Sequence, residues 1–86
     1  MYKATICKSL RDEISGVFQS VGMKLTSFDA LEDDYTILYI LRTSSWDLSG
    51  LEALWFWDRM REVLPDAECL CSQAGANAFI IYRGDL

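Results

Sequence analysis

The 86-residue sequence predicts one α+β domain, residues 1–86, with an antiparallel sheet carrying two helices on one face. Two stretches repeat apolar residues at helical spacing. Several runs of six to nine residues carry strand-type apolar patterning. Turn and capping signals separate these segments into the order β-α-β-β-α-β-β.

The first strand is read over residues 2–7, where Tyr2, Ala4 and Ile6 alternate with Lys3, Thr5 and Cys7. Ser9 followed by Asp12 reads as a helix start with an acid in its first turn. Leu10, Ile14, Val17, Phe18 and Val21 then fall on one helical face, and Gly22 supplies a stop. Residues 23–31 read as a weaker strand that frays near Asp29, and residues 32–34 as a turn. Residues 35–43, YTILYILRT, are apolar on both faces, which places them centrally in a sheet.

Ser49 and Glu52 have capping-box spacing, with Leu48 positioned as a hydrophobic staple. The second helix is expected from Gly50 to Leu64, where Pro65 stops it. Residues 67–73 and 78–83 read as two strands joined by a turn at 74–77, a terminal hairpin. Two β-α-β units joined by a turn, with right-handed crossovers, point to the ferredoxin-like β-α-β-β-α-β sandwich with a C-terminal hairpin strand added. In this architecture the chain resembles the class that holds ligand-sensing ACT domains and RNA-binding RRM domains. The basic-Gly-aromatic signature of the RNA binders does not occur in YTILYILRT.

The second helix contains three adjacent rings, Trp55, Phe56 and Trp57. At roughly 100° per residue, three neighbours cannot share one face. Ala53, Phe56, Trp57, Met60, Val63 and Leu64 project together and form the expected core side. On that basis Trp57→Ala is expected to destabilise the fold by about 3–5 kcal/mol. Leu51 and Trp55 project among Glu52, Asp58, Arg59 and Glu62, with Leu54 and Arg61 on a flank. Trp55 is therefore the ring left over. Either another part of the chain covers it, or it anchors a protein contact formed by Leu51, Leu54, Trp55, Asp58 and Glu62, which nearby Trp46 extends unless it caps the core instead.

Composition narrows the chemistry. The chain has 8 basic and 13 acidic residues, a formal charge of −5, which disfavours nucleic acid and anionic membranes as direct partners. Neither a membrane span nor a secretory signal is read from the sequence, and the expected compartment is the cytoplasm. Cys7, Cys69 and Cys71 are expected to be buried small hydrophobes rather than a disulfide framework. With no His, the commonest general base and metal ligand are absent. No zinc spacing, phosphate loop or nucleophile–base pair is present, so neither a cofactor nor a metal is expected and an enzyme is disfavoured. Asp29, Glu32, Asp33 and Asp34 form an acidic surface: a solvated turn, a weak cation site, or a mimic that occupies a basic groove. Residues 83–85 spell RGD at the end of a buried strand.

These readings favour a small acidic, non-enzymatic interaction module whose partner is a foreign protein or a second copy. In size and charge it is similar to inhibitors encoded by phages and mobile elements, anti-CRISPR proteins among them. The alternative is a dimeric ACT-like ligand-sensing or regulatory domain.

Overall fold

Five strands pair in the order β1-β2-β3-β5-β4, every neighbour antiparallel, in a computed structural model that describes residues 2–86. The elements are β1 (Tyr2–Lys3), α1 (Lys8–Ser20), β2 (Leu25–Glu32), β3 (Thr36–Thr43), α2 (Gly50–Val63), β4 (Ala67–Gln73) and β5 (Ala78–Asp85). The seven elements follow the expected order along the chain, but the sheet is not strung in the ferredoxin-like way. The terminal hairpin enters the main sheet, and β5 takes the place beside β3.

Side-chain chemistry accounts for this order. β3 and β5 are the strands with apolar residues on both faces, and they pair without interruption from Thr36↔Asp85 to Thr43↔Ala78. Central positions suit such strands, while edges suit short or polar ones. β1 contributes only Tyr2↔Glu32 and Lys3↔Leu31 before the chain turns away. The expected strand over residues 2–7 is cut short, and Tyr2 is exposed while Ile6 turns against the core. β4 lies at the opposite edge and is exposed along most of its length.

Registry assigns the two faces of the sheet. Phe28 pairs with Leu41 and Leu41 with Ile80, so these three share a face. They join Ile14, Phe18, Phe56 and Met60 in one buried cluster, which places both helices on that side. Phe18 and Phe56 meet edge to face, with centroids 5.2 Å apart, and join α1 to α2. Asp29 does not end β2: it pairs with Ile40 in mid-strand, on the side away from the helices.

α1 presents Ile14, Val17 and Phe18 inward, with Leu10 and Val21 beside them, as its spacing requires. It begins one residue before Ser9, and Cys7 occupies the N-cap position. Its end is a Schellman closure. Gly22 lies at φ 78°, its N–H donates to Gln19 O at 3.0 Å, and the Met23 N–H donates to Phe18 O at 2.9 Å. Gly22 is required there because a side chain is strained at positive φ. α2 starts after Ser49, as expected, but the Ser49 side chain makes no capping hydrogen bond.

Candidate protein-contact surface

α2 divides its three adjacent rings as the 100° step demands. Phe56 is completely buried, Trp57 is half-buried and Trp55 is 44% exposed. The expectation that Trp57 is a full core residue is therefore corrected: Phe56 and Met60 of α2, with the C-cap residue Leu64, form the deepest line. Leu51, Leu54, Trp55 and Asp58 follow one another at i, i+3, i+4 and i+7, a single stripe on the outer side. Leu51 is 83% exposed and Leu54 63% exposed. Glu62 continues the stripe and is exposed.

Trp46 does not belong to this surface. It is 8% exposed, packed 5.4 Å from the Trp57 ring and 6.0 Å from the Phe56 ring. Its backbone exchanges two hydrogen bonds with Gly75, Trp46 N–H to Gly75 O at 3.2 Å and the reverse at 3.1 Å. This bridge ties the β3–α2 loop to the β4–β5 turn and draws the indole into the core. The contact occurs between residues distant in sequence, so helical projection could not find it.

Trp55 stands between two depressions. One, about 380 Å³, lies between the helices and is lined by Asp12, Glu13 and Gly16 of α1 and by Trp55, Arg59 and Glu62 of α2. The other, about 270 Å³, is bounded by Ser20, Val21, Leu51, Glu52 and Trp55. Gly16 and Ser20 keep the α1 side low, and no heavy atom lies within 4 Å of where a Gly16 Cβ would stand. The Arg59 guanidinium lies 6.0 Å from the Trp55 ring centroid and forms an ion pair with Glu62. Asp58 is engaged by Arg61 at 3.1 Å. Asp12 and Glu13 carry no ion pair among the described residues, so the larger groove is acidic. In the sequence Asp12 reads only as a helix-start acid, and Glu13 carries no signal of its own. Projecting α1 at the same 100° step places Glu13, Gly16 and Ser20 on one flank.

The other acidic residues do not form a common site. Asp29 lies on the open side of the sheet, Glu32 ends β2, and Asp33 and Asp34 occupy the β2–β3 turn. Among the described residues, no group of three or more Cys, Asp or Glu side chains is placed to hold a metal ion. Asp33 organises the turn. Its Oδ1 accepts from the Tyr35 N–H at 2.9 Å, the Thr36 N–H at 2.8 Å and the Thr36 hydroxyl at 3.0 Å. Those donors, the Tyr35 amide first, hold its carboxyl below the ordinary carboxylate pKa. The turn stability they contribute is full above about pH 4 and is lost as pH falls through the lowered folded value. The Tyr35 and Thr36 amide resonances should therefore titrate with a midpoint below that of an exposed model aspartate. A midpoint at or above it would contradict the assignment.

All three cysteines are free and exposed, which corrects the expectation of burial. Cys7 occupies the N-cap position of α1 without a side-chain capping bond, and its Sγ lies 2.8 Å from Ser9 Oγ. That contact, with the Leu10 and Ser9 amides, lowers the Cys7 pKa. Desolvation raises that of Cys69. Cys69 and Cys71 sit on the exposed edge strand, where a bulge breaks the β4–β5 register between them. Arg83, Gly84 and Asp85 are strand residues of β5, with Gly84 buried, so the RGD triplet is no displayed loop.

No protein-family model, no curated protein and no solved structure matches this chain.

Proposed function

We propose that the protein is a small non-enzymatic interaction module that receives a basic segment of a foreign protein along α2. One observation carries this reading: the exposed Trp55 indole, in line with Leu51 and Leu54, borders a groove in which Asp12 and Glu13 carry no ion pair among the described residues. An aromatic anchor with aliphatic neighbours and a charged rim suits a binding hot spot. The carboxylates favour a partner that brings Lys or Arg, and the chain's net −5 would speed the encounter. Three exposed free thiols suit a reducing compartment, and we place the module in the cytoplasm. An inhibitor of the kind carried by phages and mobile elements fits this size and charge.

The test is quantitative capture of a host protein by the wild type, by Trp55→Ala and by the control Tyr2→Ala, which alters an exposed ring far from α2 along the chain. Trp55→Ala should weaken the captured partner's affinity by about 30-fold or more, the effect of removing a hot-spot residue of about 2 kcal/mol. Its thermal midpoint should stay close to that of the wild type. Added salt should weaken the wild-type complex. A partner held equally by wild type and Trp55→Ala would refute the proposal.

A further inference from the structure

We infer that the helix-free face of the sheet is a homodimer interface, in which two copies stack sheet on sheet about a two-fold axis parallel to β3. This goes beyond the proposed α2 contact and uses the opposite side of the molecule. Because side chains alternate, residues between the core positions of β2, β3 and β5 point away from both helices. Ile40 and Ile81 pair at the centre of that face, with Leu31 and Leu38 paired one row away. Leu70, on β4 at the bulge, is 49% exposed. Leu31, Leu38, Ile40 and Ile81 are half-buried and form a contiguous aliphatic strip with no helix over it, a surface that suits a contact.

Charge identifies the occupant. The chain is strongly acidic overall, yet this face carries Lys3, Arg42 and Arg83 against Asp29, Glu68 and Asp85, with no net charge. Two copies that repel elsewhere can meet there without a Coulomb penalty. The row that crosses all five strands reads Lys3, Leu31, Leu38, Arg83, Glu68, with opposite charges at its two ends. A two-fold axis along β3 lays this row over its own reverse. Leu38 then meets Leu38 of the second copy, and Lys3 meets the second copy's Glu68. The pair forms twice, as an isologous contact requires. Glu68 already lies 3.8 Å from Arg83, so the arriving Lys3 would complete a three-member charge network. Arg83 of each copy arrives over Leu31, beside Asp29, the next same-face residue of β2.

The area suits a weak dimer at the low end of specific interfaces. Four strands about 4.8 Å apart and eight residues at about 3.4 Å give a flat footprint of roughly 500 Å² before side-chain corrugation. A standard stable interface takes about 800 Å² of accessible surface from each partner. Aligned sheets pack with strands about 30° apart and about 10 Å between layers, which these aliphatic side chains can fill.

Sedimentation equilibrium of the full chain tests the arrangement. The wild type should form dimers as concentration rises through the micromolar range. Leu38→Glu should give a folded monomer. Leu70→Glu, at the edge strand where folding is less at risk, should weaken association and guards against a misfolded first variant. Lys3→Glu should raise the dimer Kd about 3–10-fold, two exposed ion pairs being lost. Lys3→Glu combined with Glu68→Lys should restore it. Trp55→Ala should leave the dimer intact, which separates this inference from the α2 proposal. A wild type that stays monomeric, a dimer indifferent to Leu38→Glu and Leu70→Glu, or failure of the charge exchange to rescue would overturn it.

Discussion

Phe56→Ala should lower stability by about 3–5 kcal/mol, the cost of deleting a buried aromatic and leaving part of its volume empty. The ring is completely buried. It meets Phe18 edge to face, Trp57 edge to face at 5.2 Å and Trp46 at 6.0 Å, so it joins both helices to the β3–α2 loop. Each such aromatic pair adds about 0.5–1.5 kcal/mol beyond area burial. A chain of this size buries only about 60% of the surface its unfolded form exposes. Domains are stable by about 5–15 kcal/mol, so one substitution would remove a large share of the total. Urea denaturation gives the value directly. A loss below about 1 kcal/mol would mean that the aromatic cluster is not the centre of the core.

The second large effect is expected at Trp46. Trp46→Ala should cost about 3 kcal/mol or more, because the indole is nearly buried and fills the space beside Phe56 and Trp57. The loss should come with faster amide exchange at Trp46 and Gly75, whose mutual backbone bonds depend on the loop staying closed. This distinguishes Trp46 from Trp55. Substitution at 46 should act on folding, whereas substitution at 55 should act on capture of a partner with stability nearly unchanged. If Trp46→Ala were neutral for stability, the corrected placement of this residue would be wrong.

The two tryptophans also show how far the sequence could be read. Counting 100° steps from Ala53 points Trp55 outward, and its 44% exposure agrees with that count. Trp46 precedes the helix, where no periodicity applies, and its burial depends on a bridge to Gly75 near the other end of the chain. The cysteines depart from the expected burial for a related reason. Cys69 and Cys71 are small and sit in a strand, but β4 is an edge strand with one neighbour and a bulge, so neither becomes fully buried. Cys7 lies in an alternating run that stops pairing after Lys3, and it sits at the N-cap position of α1 instead.

The acidic groove beside Trp55 was half legible. Its α2 wall follows from the same projection that placed Trp55. Its α1 wall, Asp12 and Glu13, becomes relevant only because Phe18 against Phe56 sets the two helices side by side.

By itself the sequence determined the local elements: α1 from its apolar stripe and Gly22, α2 between Ser49 and Pro65, and β3 as a strand apolar on both faces. Periodicity and capping are properties of near neighbours, so they are written in short stretches of chain. Only the tertiary structure decided the strand order, the edge positions of β1 and β4, the closed loop at Trp46 and the helix-free face. Those features rest on pairing between distant residues, where β3 gains more by joining the full length of β5 than a two-residue β1 could offer.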